Sequence, residues 1–168
     1  MLFRSPKLEA AVEVRNGLAS LYRARLGKLR GIHFQEISRG DRCSYTDFAV
    51  VIDPSTFGLT RDELALALKA ENIETRTYYD PPVHLQRAYR QFASAHGLSQ
   101  TEKLAANILC LPIWSAMEPA MVSRTCDAIE AAHQQADLVR ARLTARELNF
   151  ENSPRTGATS LQPSMVEA

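Results

Sequence analysis

Apolar residues along this chain recur with two different periods, and the alternation between them outlines the secondary structure. From Lys7 to Leu29, Leu8, Ala11, Val12, Leu18, Leu21, Tyr22, Leu26 and Leu29 fall at helical spacing, with Glu9, Glu13, Arg15, Arg23 and Lys28 largely between them. The spacing predicts a long amphipathic helix, ended by Gly31. "IHFQEI" then alternates and "YTDFAVVI" is a longer run of β-branched and aromatic residues, so two neighbouring strands, joined by the polar "SRGDRCS", are expected to pair antiparallel.

Thr60 and Glu63 bracket the start of the next helical pattern, "LTRDELALALKAENI", in the spacing of a capping box, and Leu64, Ala67 and Leu68 supply its buried stripe. "IETRTYY" reads as a short strand that Asp80-Pro81-Pro82 must stop, because proline lacks a donor and pushes the preceding residue out of helical space. A short helix over 85–95 is predicted to follow. Ser99 and Glu102 repeat the capping spacing ahead of another helix, and "ILCLPIW" reads as a strand cut by Pro112. Pro119 suits a first helical position, after which Val122, Cys126, Ile129, His133, Ala136, Val139 and Leu143 recur every three or four residues, predicting one long closing helix.

The order of elements describes an α+β fold: a small, mostly antiparallel sheet with helices on one face. Residues 1–143 are expected to form one domain and the polar, aperiodic 144–168 a disordered tail. There is no internal repeat.

Composition narrows the possibilities mainly by exclusion. The chain has 168 residues, 45% apolar and 23% charged, enough for one domain with its own core. Its formal charge of +1 offers no field for nucleic acid or an anionic membrane, although arginine (sixteen) outnumbers lysine (four). Cys43, Cys110 and Cys126 are odd in number and widely spaced, which argues against a disulfide framework or a zinc knuckle and fits a reducing cytoplasm. Neither a signal-peptide core nor a stretch long enough to span a membrane is visible.

Candidate chemistry concentrates in residues 72–89, "NIETRTYYDPPVHLQRAY". Arg76 offers a planar charged fork for a carboxylate or phosphate, the tyrosines offer rings with hydroxyl tips, and His84 can exchange a proton near neutral pH. The plainer alternative is that Tyr78 and Tyr79 alternate across a strand while Arg76 pairs with a nearby acid. His84 and His96 have no third partner at metal-binding spacing. No serine sits in a glycine elbow, no cysteine has an activating neighbour, and the seven glycines are scattered singly, so no phosphate loop is present.

"YRARLGKLRGI", "SYTDFAVVID", "TRDELALALKAENIETRTYYDPPVHLQRAY" and "TEKLAANILCLPIW" occur in an order and spacing that resemble the C-terminal part of the DegT/DnrJ/StrS family of sugar aminotransferases. The likeness runs from about Arg15 to Arg142. It implies the small α+β domain of a fold-type I enzyme that uses pyridoxal phosphate (PLP) to move an amino group onto a keto-sugar nucleotide, in amino-sugar or polysaccharide biosynthesis. The family's Schiff-base lysine, pyridinium carboxylate, ring-stacking group and phosphate ligands belong to a large domain whose motifs do not occur here. Lys7, Lys28, Lys69 and Lys103 all read as solvated positions on helices.

The resemblance therefore implies a domain that does not transaminate alone, whether gene fragment, split subunit or relic. Its partner would be a large PLP-binding domain or an intact aminotransferase subunit, in a homodimer, with a nucleotide sugar and an amino donor such as glutamate as substrates. By position, Arg76 would bind a substrate anion, Tyr79 would hydrogen-bond sugar or phosphate oxygens, and His84 would line the entrance, with Tyr78, Pro81 and Pro82 shaping the loop. Two competing readings are a non-catalytic module that associates with an intact aminotransferase and an independent anion-binding domain centred on Arg76. If a large domain is normally present, the apolar faces of the first and last long helices should be incompletely covered in this chain.

Overall fold

A computed structural model describes residues 6–92 and 97–151 of the chain. The amphipathic pattern at the start forms α1 (Pro6–Leu26), and Gly31 follows with φ of +80°. Two short strands, β1 (Ile32–Phe34) and β2 (Phe48–Ile52), then pair antiparallel with Ile32 opposite Ile52 and Phe34 opposite Val50. β2 also pairs antiparallel with β3 (Ile108–Leu111), Phe48 lying opposite Leu111 and Val51 opposite Ile108. The sheet is three-stranded in the order β1-β2-β3. The α+β class read from the sequence is the class observed.

Period-two alternation divides the sheet into two faces that serve different ends. Phe48, Val50 and Ile52 of β2 and Leu109 and Leu111 of β3 point into the main core. There they meet Leu18, Tyr22 and Leu26 of α1, Leu64 and Leu68 of α3 (Arg61–Ala70), and Val122, Cys126 and Ile129 of α5 (Pro119–Gln134). The opposite face carries Val51, Ile108 and Cys110, over which residues 76–92 and α4 (Ser99–Asn107) lie.

Local signals account for most element ends. Thr60 and Glu63 form the predicted capping box, the Thr60 hydroxyl accepting from the Glu63 N–H at 3.2 Å and the Glu63 carboxylate accepting from the Thr60 N–H at 2.7 Å. Asp53 caps a one-turn helix, α2 (Pro54–Phe57), that periodicity alone could not indicate.

Four expectations are corrected. "IETRTYY" is not a strand: its pairing with β3 is limited to the reciprocal bonds between Arg76 and Cys110, at 3.1 and 2.7 Å, before the chain turns away at Tyr78–Asp80. The helix expected over 85–95 is instead two 3₁₀ turns, Val83–Leu85 and Arg90–Phe92, and residues 93–96 lie outside the described set. Val83, Tyr89 and Phe92 remain exposed, so no buried stripe stabilises a longer helix. Ser99 is not a cap; Leu98 holds that position and, having no polar side-chain atom, makes no side-chain cap bond, while Glu102 accepts from His84 and, at 3.4 Å, from the Leu98 N–H.

The closing helix is the fourth. It breaks at Gln135 into α5 and α6 (Ala136–Glu151), with no proline or glycine to mark the break. Arg140 of α6 bonds the Gly58 carbonyl and lies 3.5 Å from Glu63, tying the turned helix to the start of α3. α6 runs to Glu151, and the rest of the tail expected over 144–168 lies outside the described set. Leu8, Val14 and Leu21 of α1 and Leu138 of α6 are exposed, so both long elements keep apolar side chains uncovered.

Candidate functional site

The segment from Arg76 to His84 is anchored at its start by the sheet and at its bend by a buried arginine. The Arg76–Cys110 pair fixes the backbone against β3, after which the Tyr78–Tyr79 and Asp80–Pro81 peptide bonds are cis. Asp80 is held by Arg61 of α3, whose Nη2 donates to Oδ2 at 2.6 Å. Pro82 is buried and begins the 3₁₀ turn that presents His84.

A cleft of about 490 Å³ opens between this loop and α4. Tyr78, Tyr79, Val83, His84, Tyr89 and Phe92 contribute from the loop side, and Thr101, Leu104 and Ala105 from α4 with Leu98 at its cap, together with Ile108 of the sheet's second face. The lining is mainly apolar and aromatic, with hydroxyls of the tyrosines and Thr101 and the His84 ring as its polar groups. That mixture, and that volume, suit a small organic ligand held by ring contact and a few hydrogen bonds.

The structure brings Tyr79 and His84 together but places Arg76 elsewhere. Arg76 lines a neighbouring groove of about 390 Å³ with Thr46, Asp47, Glu74, Cys110 and Trp114. It reaches the cleft only through Tyr78, whose hydroxyl accepts from Nη1 at 2.7 Å and whose ring lies 5.4 Å from that of Tyr79. The pairing of Arg76 with an acid is therefore not what is seen, and Tyr78 and Tyr79 do not alternate between core and solvent: both are exposed.

His84 is mostly buried, and its Nε2 donates to Glu102 Oε1 at 3.1 Å, linking the loop to α4. That bond first, and the Leu98 N–H second, hold the Glu102 carboxyl below its ordinary value of 4.5. A depressed folded-state pKa means the contact contributes stability above the unfolded value and loses it as pH falls through the folded one. Comparing wild type with Glu102→Gln by urea denaturation, we expect the wild type's advantage to shrink from about pH 6 to about pH 3. An advantage constant across that range would show that the carboxylate is not the group responsible.

Sequence reasoning missed Arg61 and Glu102, and with them Tyr89, Phe92 and Leu104 as lining residues. A cation in the first turn of a helix opposes the macrodipole, so Arg61 carried a sign of a separate use. Burial accounts for the two inner thiols: it pushes Cys110 above the usual range and Cys126 up to about 11, away from the thiolate a nucleophile requires. Among the described residues no group of three or more His, Cys, Asp and Glu side chains converges as a metal site, and no helix is long and apolar enough to cross a membrane.

Residues 3–130 match the DegT/DnrJ/EryC1/StrS aminotransferase family, well over half of the chain. The chain belongs to that family. Among DegT/DnrJ/EryC1/StrS relatives, it is 38% identical over 78 residues to dTDP-3-amino-3,4,6-trideoxy-alpha-D-glucose transaminase of Streptomyces venezuelae, covering 46% of this chain and 21% of the relative. It is 30% identical over 117 residues to dTDP-4-amino-4,6-dideoxy-D-glucose transaminase of Escherichia coli, covering 68% and 31%. The crystal structure of S. venezuelae DesV in complex with a ketimine intermediate superposes with a TM-score of 0.67 at 31% identity, over 74% of this chain and 32% of that one. The chain thus spans between 21% and 31% of the length of these curated relatives.

PLP is the family's cofactor, and the residues present do not fit it. A lysine that bonds the cofactor must be buried or beside another cation to be partly deprotonated. Lys7, Lys28, Lys69 and Lys103 are all exposed on helices or at a helix end, and none lines the cleft.

Proposed function

We propose that this chain is the small domain that closes over the active site of a PLP-dependent aminotransferase acting on keto-sugar nucleotides, with the cofactor lysine supplied by polypeptide outside these residues. The observation that carries the reading is the combination of family membership with four exposed lysines. A large PLP-binding domain or an intact aminotransferase subunit is then the partner, in a cytoplasmic homodimer, and the product is an amino sugar for polysaccharide or related biosynthesis.

Within that assembly Tyr79 hydrogen-bonds sugar or phosphate oxygens, His84 lines the entrance, and Arg76 meets a substrate anion, such as a carboxylate of glutamate, at the rim. Arg76 as the centre of an independent anion-binding domain is less well supported, because Asp47 and Glu74 share its groove and offset its charge. The exposed rings around the cleft support a module that works against another protein surface, whether or not the resulting complex is catalytic.

The test has two readouts. Incubation of the purified chain with PLP, borohydride trapping and peptide mapping should give no stoichiometric adduct on a single lysine. The chain mixed with a PLP-lysine-bearing partner should transfer an amino group to a keto-sugar nucleotide. A stoichiometric adduct on one lysine, or transfer by the chain alone, would overturn the proposal.

A further inference from the structure

Two walls of the cleft, the loop over 78–92 and α4, lie off the sheet, and Ile108 of β3 also lines it. Both converge on one side chain that enters from a third element. Arg61, at the start of α3, is only 4% exposed; Nη2 donates to Asp80 Oδ2 at 2.6 Å in the loop, and Nη1 donates to the Ala105 carbonyl at 3.1 Å in α4. Its Nε lies 2.8 Å from Asp62 Oδ1, but the N–H is not aligned with an acceptor, so the fork's two outer arms carry the bonding. Asp80 immediately follows Tyr79, and Ala105 itself lines the cleft.

We propose that Arg61 is the positioning residue of the cleft, setting the separation of Tyr79 and His84 from α4 by bonding both walls with one planar guanidinium. The inference rests on the proposed function for the cleft's purpose, though not for its geometry. A buried cation is costly unless paired and hydrogen-bonded, and apolar replacements of buried ion pairs are often neutral or stabilising, so stability alone does not account for a guanidinium here. The fork is what matters: its planar, fixed donor geometry reaches two acceptors at once, whereas a lysine ammonium is a point charge on a flexible stem. Among the described residues the His84–Glu102 bond is the other polar link between the loop and α4, and it joins them directly without reference to α3.

Hydrogen exchange read by mass spectrometry on the full chain tests this without cofactor or sugar. In Arg61→Met, amides of residues 76–92 and 99–107 should exchange about tenfold faster or more, with β2 and α5 unchanged. Arg61→Lys should restore protection to one wall only, and Asp80→Asn should loosen the loop while leaving α4 as it was. Acceleration spread equally over β2 and α5, or no acceleration at either wall, overturns the inference; if Arg61→Met does not fold, the loop-specific result of Asp80→Asn decides alone. In the reconstituted enzyme, Asp80→Asn should raise KM for the nucleotide sugar by about tenfold with kcat retained. An unchanged KM beside a loosened loop would refute the positioning role and leave the proposed function standing, whereas a reconstitution without amino transfer would refute the function and leave the exchange result intact.

Discussion

Replacing Phe48 by alanine lowers the stability of the chain by about 3–5 kcal/mol. Phe48 is 1% exposed and sits where three aromatic rings meet: Tyr22 stacks on it with centroids 4.9 Å apart and planes at 16°, and Tyr45 and Phe34 lie at 5.8 and 6.0 Å. The Arg23 guanidinium lies 5.1 Å from the Phe34 centroid and 6.0 Å from that of Phe48, adding a charge–ring attraction at the edge of the cluster. The neighbours have little freedom to fill the space. Tyr22 is pinned through its hydroxyl to the Pro112 carbonyl at 3.0 Å, and burial pushes its phenol further above the usual range, keeping it a neutral donor. The void therefore persists, and its cost adds to the lost transfer energy. Urea denaturation checks this: the midpoint should fall at constant slope, and Phe48→Leu should recover most of the loss. A loss under about 1 kcal/mol would mean that the surrounding helices collapse onto the site.

Gly31→Ala is the second large effect, about 2–5 kcal/mol, and it acts through backbone rather than core volume. At φ of +80° an added Cβ is disfavoured in any surroundings, by about 1–2 kcal/mol. Here it would also run into the Phe57 amide nitrogen and stand 2.8 Å from the Phe57 Cβ, a clash with backbone that cannot rotate aside. The Gly31 carbonyl accepts from the Asp53 N–H at 2.8 Å, so moving residue 31 disturbs the cap of α2 as well. Gly40, at φ of +94° with open space around its missing Cβ, separates the two contributions. Gly40→Ala should cost only the conformational part, and equal losses at both positions would refute the role of close approach.

The candidate site was legible in one respect and hidden in another. The run of tyrosines, prolines and histidine from Tyr78 to His84 stood out because its residue types are chemically specific and lie within a few positions. Tyr79 and His84 do share a cleft. Arg76 belonged to the same run yet faces the next groove, because the Arg76–Cys110 pair commits its backbone to the sheet before the chain bends. Arg61 lies fifteen positions upstream of Arg76, outside the Leu64, Ala67 and Leu68 stripe of its helix, and only the approach of the Asp80 turn and the Ala105 carbonyl gives it a function.

By itself the sequence determined what rests on neighbours along the chain. The β-branched and aromatic run of β2, the capping box at Thr60 and Glu63, and the helical stripe of α5 each show in residue types within a few positions of one another. Tertiary structure alone decided the rest: that 73–79 makes a single pair instead of a strand, that two turns within 83–92 stand where a helix over 85–95 was expected, that the closing helix breaks at Gln135, and that Glu102 bonds His84. In each of these the local preferences are weak or balanced, so the outcome follows from partners that are distant in sequence and close only after the chain has folded.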